Sequence, residues 1–284
     1  MVTLANDRIR EIANLAEGYA DTYFPDSWID PGQLVAKLGA TVSYNYYGDA
    51  FDGLLEWKNR SFHIYCNLTR VESSTSARAR FTLGHELGHL LIDEHRTAMM
   101  SGQAPFRHAS FAEAFEPKQR VEAEADLFAS NLLMPAGRLE KVIPATGNAR
   151  TFKQIGQVQN TFNVLFQSAA LKVIDTAKYA FCACVMWRKG KKPWYRVSKG
   201  FQDSGYIHIK LKQEELPRDC ATALDLNEEG PTAESEPRTN ITTAAAWFFQ
   251  ARAGSKNDIQ LRETALRLGN HGVFTFLSWE AHQY

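Results

Sequence analysis

Two histidines, His85 and His89, stand four residues apart within the segment FTLGHELGHLLIDEH, which covers residues 81–95. Leucines recur around them at helical spacing, so we predict that the segment is a helix with one face in a core. Residues four apart lie on one face of a helix, one turn above each other. The two imidazole rings therefore point at a common position, which is what a tetrahedral zinc ion needs from a single helix.

Glu86 follows the first of these histidines and is rotated away from direct metal ligation on the predicted helix. A zinc ion lowers the pKa of a bound water to about 7, and a neighbouring carboxylate can then take its proton. We therefore predict that Glu86 is the general base of a hydrolytic reaction. A His-Glu-x-x-His string is short enough to arise by chance, so the alternative is an amphipathic helix with two exposed histidines and no metal.

A third metal ligand is expected from a second helix, with the fourth coordination position left open. Helical spacing returns in KQRVEAEADLFASNLLMP, residues 118–135, and this segment contains two candidate carboxylates, Glu122 and Glu124. Glu122 shares the inward face of the predicted helix with Ala125, and Asp126 follows it by one turn. We therefore predict that Glu122 binds the metal, that Asp126 accepts the outer N–H of a ligand histidine, and that Glu124 is a solvated charge.

The strings RFTLGHELGHLL and EAEADLFASNLLMP resemble the two motifs of the ImmA/IrrE family of zinc metallopeptidases in residue type, order and separation. The resemblance covers about residues 1–140 and fades beyond them. It implies that His85, His89 and Glu122 bind one Zn²⁺ and that Glu86 is the general base. It also implies a cytoplasmic peptidase that cleaves a helix-turn-helix repressor and so relieves repression under stress or phage attack.

The fold class predicted for the whole chain is α+β, with two domains. Residues 1–175 are expected to form a gluzincin-like zinc metallopeptidase domain, with a small sheet packed on the motif helix and with trailing helix-turn-helix-like helices. Within this domain, FDGLLEWKNRSFHIYCN predicts a β-hairpin. The stretch from Asp93 to Pro117 has weak periodicity, so we expect a long surface loop there with one short helix at Phe111–Phe115.

Residues 176–284 differ in character and are predicted to be a second α+β domain with an antiparallel sheet. Its strands are expected in a hairpin around Gly190, in YIHIKLK and in VFTFLSW, with helices around Trp247 and Leu266 and a loop over residues 214–240. The ImmA/IrrE family is sometimes described with a small-molecule sensor domain. By that analogy, we expect this domain to resemble a GAF or PAS fold and to receive an activating signal.

Charge and composition restrict the partners and the compartment. Lys+Arg and Asp+Glu both number 32 in 284 residues, so the net charge gives no reason to expect nucleic acid or an anionic membrane as an obligatory partner. The N-terminal segment lacks the uninterrupted apolar core of a signal peptide, and no run approaches the length of a membrane span. Four scattered cysteines do not make a disulfide framework, so a reduced, cytoplasmic setting is expected.

A peptidase also needs a group that stabilises the oxyanion of the tetrahedral intermediate. The candidates by residue type are Tyr46, Tyr47, His95 and His108, although an ordinary packing or surface role is the simpler interpretation of each.

Cys66, in the strand SFHIYCN, offers a thiolate that would hold the enzyme latent by occupying the fourth zinc position. Its alternative role is that of a small buried apolar residue. The same strand is either a sheet edge, to which a substrate strand would add, or an interior strand of the sheet.

A basic and aromatic segment, WRKGKKPWYR, is a candidate nucleic-acid contact. Trp187 and Trp194 offer rings for base stacking, and three lysines offer charges for phosphates, namely Lys189, Lys191 and Lys192. A solvated hairpin tip explains the same pattern, because lysine-rich turns are common at sheet edges. Two other functional classes therefore stay open beside proteolysis: a metal-containing DNA-binding regulator, and a nucleic-acid sensor. Single-stranded DNA or a small molecule is the expected class of activator.

Overall fold

A computed structural model of the chain describes residues 4–105, 107–110, 120–144, 150–188, 190–203, 206–212, 216–227, 236–250, 259–269 and 272–279. These residues form a mixed α+β architecture, as the fold class predicted. The chain divides into two compact units, one made of Met1–Lys141 with Gln159–Leu165 and the other of Val142–Val158 with Phe166–Tyr284.

The N-terminal half of the chain alternates helices with short strands. Its elements are α1 (Asn6–Tyr23), α2 (Pro31–Lys37), β1 (Thr41–Asn45), β2 (Gly53–Lys58), β3 (Ser61–Asn67), α3 (Leu68–Val71), α4 (Ala77–Leu91), α5 (Asp93–Met100), β4 (Arg107–Ser110), α6 (Arg120–Leu133) and α7 (Ala136–Val142). The two motif helices predicted from the sequence are present as α4 and α6, and the predicted hairpin is present as β2 and β3.

The strands of the first unit form one four-stranded sheet in the order β1-β3-β2-β4, with β1 parallel to β3 and the other pairs antiparallel. The hairpin turns through Asn59 and Arg60, whose φ angles of 51° and 62° are typical of a tight two-residue turn. For β3 the sequence left an edge and an interior position open, and the structure has the interior one, because β3 pairs on both sides. In the part of the chain that the structure describes, the edges of this sheet are β1 and β4.

The long loop predicted between the two motif helices is wrong in part, because α5 and β4 lie there. Asp93 and Glu94 stand in the first turn of α5, where carboxylates interact favourably with the helix dipole. β4 is too short to show a periodicity of its own, and its conformation depends on pairing with β2, in which Ser110 lies opposite Gly53. The predicted short helix at Phe111–Phe115 lies outside the described residues.

Small residues line the contact between α4 and α6. A Cβ atom on Gly84 would lie 3.2 Å from Cβ of Ala129, and one on Gly88 would lie 3.0 Å from Cα of Ala125. Real Cβ atoms are rarely so close to a neighbouring backbone, so both glycines allow an approach that any larger residue would prevent. This close packing brings the first turn of α6 next to the histidine face of α4.

From residue 152 the chain forms α8 (Phe152–Phe162), α9 (Phe166–Asp175), β5 (Cys182–Trp187), β6 (Trp194–Val197), α10 (Lys199–Asp203), β7 (Tyr206–Ile209), α11 (Ala221–Asn227), β8 (Arg238–Thr243), α12 (Ala244–Trp247), β9 (Phe248–Gln250), β10 (Gln260–Arg267) and β11 (Val273–Trp279). The predicted division at residue 175 assigns α9 to the first domain, whereas α9 lies in the second compact unit. Five strands form an antiparallel sheet in the order β6-β5-β11-β10-β8, and β7 pairs with β9.

The antiparallel sheet and the β5–β6 hairpin of the second unit agree with the sequence predictions. The helix predicted around Leu266 is wrong, because this residue lies in β10. β10 pairs with β8 on one side and with β11 on the other. Pairing with these strands outweighs the local helix propensity of the segment. The loop predicted over residues 214–240 is wrong in part, because α11 and the start of β8 lie within it.

Candidate metal centre

Both motif histidines point into the interior of the first unit, where His85 is 6% exposed and His89 is 2% exposed. Their Nε2 atoms face each other at 3.0 Å. Burial lowers the pKa of His85, but hydrogen bonds with Asp126 and Glu122 outweigh it and raise that pKa to about 10. Burial takes the pKa of His89 well below its usual value. The carboxylates of Asp126 and Glu122 therefore make His85 the more basic of the two imidazoles.

Glu122 on α6 completes a group of three candidate ligands. Its Oε2 lies 3.4 Å from Nε2 of His85, and its Oε1 lies 3.7 Å from Nε2 of His89. Ligand atoms of a tetrahedral zinc site, each about 2.1 Å from the ion, are about 3.4 Å apart. The observed separations are close to this value, and two imidazoles with one carboxylate are a usual donor set for zinc. The three predicted ligands thus come together, with ligand atoms all within 4.8 Å of one another.

Asp126 lies one turn after Glu122 on α6 and contacts the other side of the His85 ring. Its Oδ1 accepts a hydrogen bond from Nδ1 of His85 at 2.8 Å. A hydrogen on Nδ1 leaves the lone pair of the imidazole on Nε2, the nitrogen that faces the group. Asp126 therefore has the contact that its predicted role requires.

Glu86 is fully buried between α4 and the sheet, at 0% exposed. The Ser110 hydroxyl on β4 donates a hydrogen bond to its Oε1. Its Oε2 is buried and has no hydrogen-bond partner among the described residues. Burial is the largest influence on this carboxyl group and raises its pKa. A carboxyl with a raised pKa is suited both to accept a proton and to return it.

His108 on the edge strand β4 faces the same group. Its Nε2 donates a hydrogen bond to Oε1 of Glu122 at 2.7 Å, and its ring centroid lies 4.3 Å from that of His89. Burial lowers its pKa, but the hydrogen bond with Glu122 and the negative charges of Glu122 and Glu86 together outweigh this effect, so the net shift is upward. Of the four oxyanion candidates, two contact a candidate ligand: His108 bonds to Glu122, and His95 lies 3.3 Å from Nδ1 of His89.

Glu124 is not a solvated charge, and this prediction is wrong. Only 3% of the residue is exposed. Arg8 on α1 and Arg120 on α6 each donate to its carboxylate at 2.7 Å, and His95 lies 3.2 Å from it. Burial raises the pKa of Glu124, but these guanidinium groups outweigh it and lower the pKa to about 2. The helical spacing of Arg120 and Glu124 was visible in the sequence, whereas the contact with Arg8 had no local signal.

The remaining candidates have surface or packing positions in the structure. Tyr46 is 72% exposed, and Tyr47 packs against the rings of Phe51 and Tyr65. Cys66 is 0% exposed and does not belong to the three-ligand group found among the described residues. Burial raises the pKa of its thiol to about 12, which favours the neutral thiol over the thiolate that a latent zinc site requires.

A family model described as the IrrE N-terminal-like domain matches residues 70–173, a span that contains both motifs. The chain is similar to this family over residues 70–173. The resemblance seen in the motifs is confirmed for this span. The members of this family are metallopeptidases that are in general zinc-dependent. The three-ligand group lies within the IrrE-like domain, as residues 70–173 are called below.

A solved structure of a Mycobacterium tuberculosis transcriptional regulator is similar, with a TM-score of 0.54 and 10% sequence identity, and covers 97% of this chain and 77% of that chain. At this identity the similarity concerns the fold alone. No curated protein sequence matches the chain. Within the described ranges, no helix has both the length and the apolar character that a membrane crossing requires.

Outside the IrrE-like domain, the segment predicted to contact nucleic acid forms the β5–β6 hairpin. Trp187 is 4% exposed and Trp194 is 6% exposed, so neither ring offers a face for base stacking. Lys191 and Lys192 are exposed near the turn, and Lys189 lies outside the described residues. The exposed part of this hairpin therefore fits the alternative interpretation, a solvated tip.

Proposed function

We propose that the chain is a zinc-dependent endopeptidase that cleaves a partner helix-turn-helix transcriptional repressor in the cytoplasm and so relieves repression in a stress or phage-defence response. The observation that carries the proposal is the convergence of His85, His89 and Glu122 beside the buried carboxyl of Glu86, inside an IrrE-like domain. The fold similarity to a transcriptional regulator is compatible with a regulatory role for the cleavage.

The proposed reaction is hydrolysis of a peptide bond, with each side chain in a defined role. His85, His89 and Glu122 would hold the zinc ion, which would supply a Lewis acid for the water and for the scissile carbonyl. Glu86 takes the proton of the attacking water at Oε2 and returns it to the leaving amine. Ser110 donates to the other oxygen of Glu86 and so keeps the carboxyl group in a fixed orientation.

His108 is proposed to stabilise the oxyanion of the tetrahedral intermediate. Its ring lies beside the candidate ligands, and its Nε2–H, which donates to Glu122, points into the group beside which the negative charge would develop. A donor already directed at the site needs little reorganisation during the reaction, which is the physical basis of oxyanion stabilisation.

β4 is proposed to bind the substrate as an added strand. Among the described residues it is an edge of the sheet, and its backbone pairs only with β2. His108 and Ser110 lie on this strand and contact Glu122 and Glu86, so a peptide bound along β4 would pass next to the reacting groups. An extended substrate of this kind fits a segment that unfolds locally before cleavage.

The test is cleavage of the helix-turn-helix protein encoded beside the gene for this chain, in co-expression and with purified zinc-loaded protein. Mass spectrometry is expected to find defined fragments with the wild type and intact repressor with Glu86→Gln, which should keep its zinc and its fold. Glu140→Gln, an exposed glutamate on α7, is the matched control and is expected to cleave as the wild type does.

Three outcomes would contradict parts of this proposal. Cleavage at the wild-type rate by Glu86→Gln would show that Glu86 is not the base. A repressor that stays intact with the zinc-loaded wild type would overturn the substrate class. Relief of repression by the wild type and by Glu86→Gln without cleavage would favour the alternative, a metal-containing DNA-binding regulator.

We further propose that residues 176–284 receive the activating signal, which is single-stranded DNA or a small molecule. A change in the cleavage rate when either is added would support this proposal.

A further inference from the structure

A series of polar contacts leads away from the candidate metal group behind His89. Nδ1 of His89 lies 3.3 Å from Nδ1 of His95, and Nε2 of His95 lies 3.2 Å from Oε2 of Glu124. The carboxylate of Glu124 is held at 2.7 Å by both Arg8 and Arg120. His89, His95 and Glu124 are 2%, 9% and 3% exposed, so water has little access to these contacts.

The positions of the hydrogens in this series follow from its two ends, which are the metal-facing Nε2 of His89 and the carboxylate of Glu124. A hydrogen bond between two imidazole nitrogens needs one donor and one acceptor, and an ionised carboxylate can only accept. When Nε2 of His89 presents its lone pair to a metal, Nδ1 of His89 carries the hydrogen and donates it to His95. Nδ1 of His95 then accepts, so the hydrogen of His95 is on Nε2, where it is donated to Glu124.

The opposite tautomers do not fit the same geometry. A hydrogen on Nε2 of His89 would point at the metal position and would require Nδ1 of His95 to be the donor. Nε2 of a neutral His95 would then direct a lone pair at the carboxylate of Glu124 from 3.2 Å, which is repulsive. With Glu124 held as an acceptor by two guanidinium groups, the contacts select the tautomer of His89 that can bind a metal.

We propose that Glu124, acting through His95, is a positioning residue that fixes the tautomer and the ring orientation of His89 for zinc binding. The inference rests on the proposed metal site. His85 is oriented directly by Asp126, whereas His89 is oriented by a carboxylate one imidazole further away. Partners of ligand histidines typically change metal affinity by about 10- to 100-fold.

The test measures zinc affinity of the full chain by competition with a chromophoric chelator, without any substrate. Glu124→Gln is expected to bind zinc about 10- to 100-fold more weakly than the wild type. Glu94→Gln is the matched control, because Glu94 also pairs with Arg8, at 3.1 Å, and makes no hydrogen bond to His95 among the described contacts. It is expected to change zinc affinity by less than about threefold, since the orientation of His89 is untouched. Equal affinities for the wild type and Glu124→Gln would overturn the inference.

A second measurement needs no variant. It tests whether Glu124 positions the ring of His89 or only forms an ion pair with Arg8 and Arg120. Nitrogen-15 NMR of the zinc-loaded wild type is expected to find hydrogen on Nδ1 of His89 and on Nε2 of His95. A hydrogen on Nδ1 of His95 would overturn the inference even if Glu124→Gln failed to fold. Failure of the wild type to bind zinc would instead contradict the proposed function. Zinc binding without proteolysis would contradict only the peptidase role, so the two results can be distinguished.

Discussion

Gly53 on β2 lies directly against the carboxyl group of Glu86 on α4, since a Cβ atom at Gly53 would be 2.5 Å from Oε1 of Glu86. The same added atom would lie 2.6 Å from Cγ2 of Thr82. The absence of a side chain at this position of the strand therefore gives the proposed general base the space that it occupies.

Gly53→Ala is expected to displace the Glu86 side chain and to lower the rate of peptide cleavage by about 100-fold, because misplacing a reacting group by about 1 Å costs this much. Zinc content should stay at the wild-type level, since the three ligands are untouched. The measurement is single-turnover cleavage of the partner repressor. Gly137→Ala is the control, because an added Cβ there has nothing within 4 Å. A Gly53→Ala variant as fast as this control would contradict the prediction.

Gly88→Ala is expected to lower the free energy of unfolding by about 1–3 kcal/mol, because the added methyl group overpacks the contact with the backbone of Ala125. Gly18→Ala, with nothing within 4 Å of the added Cβ, is expected to raise it by about 0.5–1 kcal/mol through helix propensity. Urea titration of both variants measures the difference. Changes of the same sign in the two variants would show that the α4–α6 contact is less tight than the structure indicates.

Glu122→Gln is expected to remove most of the bound zinc, because a neutral amide is a much poorer zinc ligand than a carboxylate. The wild type should melt at a higher temperature with zinc than after treatment with a chelator, with a stabilisation of about 2.7 kcal/mol at a zinc concentration 100 times the Kd. The melting temperature of Glu122→Gln should not respond to zinc. Glu140→Gln should respond as the wild type does, and an equal response from Glu122→Gln would contradict the ligand assignment.

His108→Ala is expected to lower kcat for peptide cleavage by about 100-fold while changing KM little, because an oxyanion donor acts mainly in the transition state. Zinc content should be retained. His63→Ala is the control, since the His63 ring bonds to Thr41 and Ser43 on the other face of the sheet. If His108→Ala raised KM and left kcat unchanged, His108 would bind substrate without stabilising the oxyanion.

Glu56 on β2 should make stability depend on pH in the acid range. The hydrogen bond from Tyr65, at 2.7 Å, and that from Arg107 lower its pKa. A carboxyl whose folded-state pKa is depressed stabilises the fold above its unfolded pKa, and this contribution is lost as the pH falls through the folded-state pKa. Glu56→Gln is therefore expected to lower the unfolding free energy by about 1 kcal/mol at pH 7 and by less under acid conditions.

Urea titrations at neutral and acid pH check the Glu56 prediction, with the exposed Glu140→Gln as the control. The difference between wild type and Glu56→Gln should shrink below about pH 4, where the carboxyl of the unfolded chain becomes protonated. A difference that stays constant over the whole range would show that the hydrogen bonds of Glu56 do not distinguish its charged form.

The parts of the site that lie on one helix could be predicted because their geometry is local. Four-residue spacing on α4 places His85 and His89 on one face whatever the rest of the fold does, and the same spacing on α6 relates Glu122 to Asp126. The β2–β3 hairpin was equally readable, since its turn is formed by adjacent residues. These features agree with the structure because backbone periodicity alone fixes them.

Contacts between distant segments were decided only by the tertiary structure. The sequence predicted Glu124 to be solvated, but Arg8 on α1 lies against it and makes it a buried ion pair. It gave His95 and His108 no assigned positions, because these depend on where α5 and β4 pack against α4 and β2. Helical and strand periods specify which residues share a face, and only the packing of one element on another determines what that face meets.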